Sequence, residues 1–224
     1  MLKATRCVVG CMVSDFDRSV VSVLSGGVML EDRLDDVMRG SLELVQLYVT
    51  DYDEITCNKA ADAGRIDVLE WLRSLDPPCP WDVSVCAYAA LNGHLDLLKW
   101  LRSQDPPCPW DTWACRYATK NGHLDVLVWL RSQDPPCPWN EWTCTHAAIN
   151  GHLDILKWLR SQDPPCSWDV NACTFAAQYG HLDVLIWLRS QDPPCSWDPF
   201  VCKYAIMNGH LDVLEWAKAN GCPE

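Results

Sequence analysis

The sequence contains no run of 18 or more apolar residues, so a membrane-spanning helix is not expected. Basic residues are also scarce: 18 lysines and arginines stand against 30 aspartates and glutamates, for a formal net charge of -12. A chain with this balance offers no general basic surface for the phosphates of nucleic acid or for anionic lipid. These two shortages argue against a membrane protein and against a nucleic-acid-binding protein.

Residue patterns typical of catalysis are missing as well. The sequence has no Gly-rich phosphate loop, no unique Ser/His/Asp set and no pair of unique carboxylates. Every group that could do chemistry belongs to a repeated series. We therefore expect no enzymatic activity, no cofactor and no small-molecule substrate.

The sequence does contain one phrase that returns every 29 residues. "GHLDLLKWLRSQDPPCPWD", which starts at Gly93, recurs with few changes from Gly122, Gly151 and Gly180. Six copies fill residues 53–224, and "RGSLELVQLYV" suggests a degenerate capping copy in residues 28–52. Such a period predicts a solenoid, because each unit buries its apolar surface only against its neighbours.

Each copy is predicted to form two short helices. In the copy that starts at Asp82, this residue is a suitable N-cap for a first helix over Val83–Leu91. Gly93 favours a left-handed stop, and His94 opens the second helix, which "DPP" ends. The second helix is predicted to bury three leucines at three-residue spacing: Leu95, Leu98 and Leu101. The repeated tryptophans are predicted to supply large buried area between units.

The segments "AALNGH", "AAINGH" and "AAQYGH" resemble the core of the ankyrin repeat. This resemblance covers residues 53–224 and implies an all-α solenoid of helix-turn-helix units. Two departures are clear: the period is 29 rather than 33 residues, and cysteines such as Cys86 replace the leucine of the "TPLH" box. The chain is therefore similar to the short-finger variety, in which the β-fingers are strongly shortened.

The 14 cysteines are interpreted as reduced thiols that act as small hydrophobic residues. Lys3 and Arg6 precede an apolar stretch too short for a signal peptide, so we expect an intracellular protein, in the cytoplasm or the nucleus. The spacing of Cys79 and Cys86 is not that of a zinc site, and no metal is expected. A metal- or redox-responsive Cys-rich scaffold stays open as an alternative.

The five repeated histidines follow the turn glycines, and the same position holds Arg65 in the first copy. We interpret them as turn and cap residues that hydrogen-bond locally. They are His94, His123, His152, His181 and His210.

The positions that differ between copies point to function. Three of them lie on one stripe of the first helix and carry aromatic and large apolar side chains, which are enriched in protein interfaces. The resemblance implies that this stripe lines the concave face that grips a partner protein. The predicted partner-binding residues are Tyr88, Leu91, Trp113, Tyr117, Trp142, His146, Ile149, Phe175, Phe200, Tyr204 and Met207.

Four aromatic residues occupy the middle position of this stripe, and an alternative role for them is packing between repeats. They are Tyr88, Tyr117, Phe175 and Tyr204. A second variable position, on the second helix, falls amid leucines expected to be buried. We expect a monomeric, non-enzymatic scaffold that binds another protein. Residues 1–27 are predicted to be a cap or flexible, or alternatively to recruit ubiquitin-ligase machinery as an F-box-like segment.

Overall fold

The computed structural model describes residues 31–49 and 52–223, and side chains from residue 34 onward. Within these ranges every regular element is an α-helix and no strand occurs. The chain divides after Trp81 into two compact units. Residues 1–27 and the first part of the degenerate copy lie outside the described residues, so the roles predicted for them remain predictions.

The first unit contains four described helices. They are α1 (Glu31–Met38), α2 (Leu42–Tyr48), α3 (Glu54–Asp62) and α4 (Ile66–Ser74). Ser41 caps α2 by accepting a hydrogen bond from the Leu44 N–H at 3.3 Å. Asp53 forms a capping box with Thr56 at the start of α3.

The second unit contains five pairs of helices, each pair formed by one 29-residue copy. The first helices of the pairs are α5 (Val83–Leu91), α7 (Thr112–Lys120), α9 (Glu141–Ile149), α11 (Val170–Gln178) and α13 (Pro199–Met207). The second helices are α6 (Leu95–Ser103), α8 (Leu124–Arg131), α10 (Leu153–Arg160), α12 (Leu182–Arg189) and α14 (Leu211–Ala219). Successive first helices pack side by side.

The predicted helix limits are confirmed in the copy that begins at Asp82. This aspartate accepts a hydrogen bond from the Ser84 N–H at 2.8 Å, and α5 spans Val83–Leu91. Gly93 follows with a φ of +72°, the left-handed conformation that ends the helix. His94 is the residue before α6 rather than its first residue.

Small side chains form the core between first helices, because cysteine and alanine let the backbones approach closely. Cys86, Ala89 and Ala90 have no exposed surface, and the equivalent residues of the following copies are also buried, except Ile206 in the last copy. In α6 the buried side chains are Leu97, Leu98 and Leu101. The predicted stripe was therefore wrong at one position, since Leu95 is half-buried at the start of the helix.

An arginine in the last turn of the second helix holds the loop that follows the helix. In the copy from Asp82, Arg102 Nη1 donates to the Cys108 carbonyl at 2.7 Å, and its guanidinium lies 4.0 Å from the ring centre of Trp110. Trp110 in turn meets Trp129 of the next copy edge to face at 6.1 Å. Both tryptophans are half-buried, with the arginine over one ring face of Trp110 and the neighbouring tryptophan at its edge.

The repeated histidines bond between repeats and not locally, which corrects the expectation from sequence. Nε2 of three of them lies 2.9–3.2 Å from a carbonyl oxygen at the end of the preceding copy's first helix. The acceptors of His123, His152 and His181 are Leu91, Lys120 and Ile149. In the first unit, Arg65 at the same position donates to the carbonyls of Met38 and Gly40. An arginine can replace the histidine because both are donors to the preceding turn.

Candidate functional site

The predicted partner-binding residues all lie on the first helices of the second unit, and together they define what we call the helix-1 face. Each first helix is positioned by its N-cap, its buried cysteine and its buried alanines, so the remaining stripe turns away from the core. Three aromatic members of the face are exposed: Trp113, Trp142 and Phe200. Tyr88, Leu91, Tyr117, His146, Ile149, Phe175 and Tyr204 are half-buried.

Aromatic side chains from α5 and α7 form a continuous patch on this face. Trp113 is 41% exposed and meets Tyr117 edge to face, with ring centres 5.2 Å apart. The ring centre of Tyr117 lies 6.5 Å from the ring centre of Tyr88 in the preceding copy. A pocket of about 190 Å³ lies beside these three rings and is also lined by Ala87 and Asp111. Tyr88 and Tyr117 thus both pack between repeats and border an open recess.

The patch continues from α7 to α9 through Arg116. Its guanidinium lies 4.0 Å from the ring centre of Trp113 and 5.5 Å from that of Trp142, which is 38% exposed. Arg116 Nη2 is also 3.2 Å from His146 Nε2. The two exposed tryptophans, Trp113 and Trp142, therefore both lie beside the guanidinium of Arg116. Arg116 is a helix residue and is not one of the arginines that hold the loops.

His146 is neutral in this setting. Burial, the Arg116 guanidinium and the Lys120 ammonium lower the pKa of its imidazole to about 4. Because Arg116 Nη2 is always a donor, Nε2 of the neutral ring must accept, and the ring proton then sits on Nδ1. Nδ1 and Arg116 Nε are both buried, and neither has a hydrogen-bond partner among the described residues.

A second aromatic group lies on α13. Phe200 stacks on Tyr204 with ring centres 5.7 Å apart, and Lys203 Nζ lies 5.3 Å from the Phe200 ring centre. Met207, at the end of the same helix, is 68% exposed. This group repeats the combination of aromatic ring and cation found around Arg116.

Several other exposed apolar residues of the second unit were not predicted. They are Tyr179, Ile206 and Leu211. Comparison of the copies contained a signal for two of them: Tyr179 stands where other copies have asparagine, and Ile206 where they have Ala90, Ala148 or Ala177.

The variable position on the second helices lies between buried leucines in the sequence, as expected, and is itself exposed. Val128 and Ile186 are each 41% exposed there. Lys99 and Lys157 hold the same position in other copies and are also exposed. These side chains belong to the second helices and not to the helix-1 face, so they provide controls for experiments on it.

The cysteines form pairs that the sequence analysis missed. In the first unit the sulfur atoms of Cys57 on α3 and Cys79 in the loop are 3.0 Å apart, and both side chains are fully buried. The hydrogen bond to Cys79, together with burial, raises the pKa of the Cys57 thiol. In the second unit Cys144 Sγ lies 3.8 Å from the Cys166 carbonyl oxygen, and the Cys166 side chain together with burial raises the pKa of the Cys144 thiol. The thiols of Cys57 and Cys144 stay protonated, and all four cysteines fill the core.

No group of three or more histidine, cysteine, aspartate or glutamate side chains within the described ranges is arranged to hold a metal ion. A thiol pair alone supplies two of the four ligands that a structural zinc site needs. The geometry therefore favours packing as the role of the cysteine pairs.

Comparison with known proteins identifies the repeat. Residues 86–171 match the family model for ankyrin repeats, in three copies. A search of the curated proteins finds no match to this chain. Across the described part of the chain, no helix has the length and apolar character to cross a bilayer. Ankyrin repeats are generally modules for protein–protein interaction and are typically not enzymes.

Proposed function

We propose that this chain, which carries ankyrin repeats, is a non-enzymatic scaffold that binds another protein through the helix-1 face. The observation that supports the proposal best is the exposure of Trp113 and Trp142, 41% and 38%, at the same position of consecutive copies. Exposed tryptophan is unusual on an idle surface, whereas tryptophan, tyrosine and arginine dominate the binding energy of protein interfaces.

The rigid framework supports the same role. The first helices are fixed by buried side chains and by the histidine bonds between repeats, so the aromatic side chains of the face are held in place before a partner arrives. A preorganised surface loses little conformational entropy when it binds. An intracellular location belongs to this proposal, since the twelve described cysteines are free thiols.

Affinity capture with a matched control tests the proposal. The wild-type chain is compared with a Trp113→Ala/Trp142→Ala/Phe200→Ala variant and with a Val128→Ala/Ile186→Ala variant, whose removed side chains are equally exposed but lie on second helices. Circular dichroism first establishes that all three are folded. We expect a partner that the wild type and the control retain and the aromatic variant loses.

Equal capture by all three folded proteins would contradict the proposal. Loss of capture only in the Val128→Ala/Ile186→Ala variant would move the site to the second helices. Deletion of residues 1–27 separates the adaptor alternative, because an adaptor segment would lose a second partner while the first is retained.

A further inference from the structure

We propose that the partner segment bound by the helix-1 face is acidic, and that Arg116 binds one of its carboxylates between Trp113 and Trp142. This inference rests on the function proposed above and adds the chemistry of the partner. It depends on three observations: the charge of the first helices, the hydrogen bonds that Arg116 lacks, and the pocket beside Trp113.

Helix α7 is positively charged although the chain as a whole is acidic. The whole sequence has a net charge of -12, but the five first helices of the second unit carry Arg116, Lys120 and Lys203 against one acid, Glu141. Aspartates cap four of these helices (Asp82, Asp111, Asp169 and Asp198), so the positive charge is local to α7, which carries both Arg116 and Lys120. An acidic segment is attracted to the positive charge on α7 and repelled by most of the acidic chain, which favours binding near Arg116.

The acids nearest to the face are at the N-terminal ends of the helices. Asp111 caps α7 by accepting a hydrogen bond from the Trp113 N–H at 2.9 Å, and it also borders the pocket beside Trp113. Glu141 is the first residue of α9. Arg116 and Lys120 lie further along α7, where no acidic side chain of the described residues forms an ion pair with either.

Arg116 differs from the loop arginines in what it binds. The loop arginines each donate to a cysteine carbonyl within their own copy; they are Arg73, Arg102, Arg131, Arg160 and Arg189. Arg116 donates instead to the neutral ring of His146. A guanidinium has five N–H donors in a planar fork that matches a carboxylate, and the described residues give this one no anionic partner.

Arg116 and His146 have N–H donors that lack a hydrogen-bond acceptor. Arg116 Nε and His146 Nδ1 are both N–H groups, both are buried, and both are unpartnered among the described residues. A carboxylate brings two acceptor oxygens and a negative charge to this place. Arg116 as a whole is half-buried, so part of its side chain is open to the carboxylate of the partner.

The pocket beside Trp113 offers the partner segment a second contact. It has a volume of about 190 Å³ and is bordered by Tyr88, Trp113 and Tyr117, one helix turn from Arg116. This space suits one apolar side chain of the partner. The geometry points to a partner segment in which an apolar residue lies close to an aspartate or glutamate.

The test is selection of binders from a displayed random-peptide library against the full chain. We expect aspartate and glutamate to be enriched next to an apolar residue among the selected peptides. Binding of one selected peptide is then measured with the wild type, with Arg116→Gln and with Lys157→Gln, which removes the same charge from an exposed position on α10. We expect at least about a tenfold loss of affinity for Arg116→Gln and less than about twofold for Lys157→Gln.

A second peptide, with its acidic residue changed to the amide, closes the cycle. It should bind the wild type at least about tenfold more weakly and should show no further loss on Arg116→Gln, because the two groups act as one pair. An equal loss on both proteins would overturn the assignment to Arg116. A phosphoserine peptide that binds more tightly than the glutamate peptide would assign the site to phosphate and overturn the assignment to a carboxylate.

The outcomes separate this inference from the proposed function. Selected peptides that lack acidic residues but lose binding on a Trp113→Ala/Trp142→Ala variant would leave the helix-1 face as the binding surface and overturn the acidic partner. Peptides that bind Arg116→Gln and Trp113→Ala/Trp142→Ala as tightly as the wild type would overturn both proposals. A selection that yields no binder to the folded chain would also count against both.

Discussion

His123 Nε2 lies 3.1 Å from the carbonyl oxygen of Leu91, and the same imidazole packs against Gly93 in the turn of the preceding copy. A methyl group added at Gly93 would lie 2.7 Å from two atoms of the His123 ring. The glycine is therefore required for two reasons: its φ of +72° and the contact with the histidine. The two repeated residues of the "GH" pair act on each other across the boundary between repeats.

Gly93→Ala is expected to destabilise the chain by more than the cost of left-handed backbone alone, which is about 1–2 kcal/mol. The added methyl group must also displace the His123 ring and its hydrogen bond. Gly209→Ala is the matched control, because its φ is +77° and an added methyl group meets nothing within 4 Å. Urea unfolding followed by circular dichroism should show a larger loss of unfolding free energy for Gly93→Ala.

The double variant Gly93→Ala/His123→Ala checks the cause. If the steric contact is responsible, its destabilisation is smaller than the sum of the two single changes, because the alanine at 123 leaves room for the methyl group. Strict additivity would show that the histidine has no part in the requirement for glycine.

The loop arginines give a second prediction, on stability. Arg131 Nη1 donates to the Cys137 carbonyl at 2.6 Å while the guanidinium lies 3.9 Å from the ring centre of Trp139. A lysine keeps the charge but not the flat surface that covers the indole, so Arg131→Lys should cost about 1 kcal/mol. The control Lys157→Gln, on the exposed side of α10, should stay within about 0.5 kcal/mol in the same urea experiment. Equal effects would mean that the stacking contributes nothing.

Much of this fold follows from the sequence because the repeat reports packing directly. Helix α5 has the predicted limits, since an N-cap aspartate and a left-handed glycine are local signals that need no knowledge of the neighbours. Contacts between copies were not predicted in the same way. The bond from His123 to Leu91 and the contact of Cys57 with Cys79 join residues 32 and 22 positions apart, and sequence spacing does not reveal which side chains meet across such distances.

The candidate site shows the same division. Differences between copies pointed to Trp113 and Trp142, whose exposure is consistent with a binding surface. The role of Arg116 was not predicted, because its importance depends on lying between two tryptophans of different copies. The copies also differ at Tyr179, which replaces an asparagine, and that change could have marked it as part of the exposed surface.

The cysteine pairs give a third prediction, on chemical reactivity. All twelve cysteines of the described residues are at most 7% exposed. A buried, protonated thiol reacts slowly, since the thiolate is the nucleophile. A Cys7→Ser/Cys11→Ser variant leaves only these twelve, and we expect its folded form to react with a thiol reagent far more slowly than its unfolded form. Rapid reaction of one or two thiols in the folded chain would instead favour the redox-responsive alternative.

The pH dependence of stability gives the last prediction, at His146. The pKa of its imidazole is lowered to about 4, chiefly by burial and then by Arg116 and Lys120, whereas the unfolded chain protonates the same ring near its ordinary pKa of 6.5. Between these values the unfolded state binds more protons than the folded state, so stability falls as the pH drops from about 7 toward 4.

His146→Gln removes this contribution and should lose less stability than the wild type when the urea experiment is moved from pH 7.5 to pH 5. His123→Gln is the comparison, since His123 occupies the turn and not the cluster with Arg116. The ring signals of His146 in an NMR titration should shift only below about pH 5, and the midpoint should rise in Arg116→Gln, because the charge that opposes protonation is gone. A midpoint near 6.5 in the wild type would show that His146 is charged at mildly acidic pH. In that case Nε2 would be a donor facing another donor, and the arrangement of Arg116 and His146 described above would be wrong.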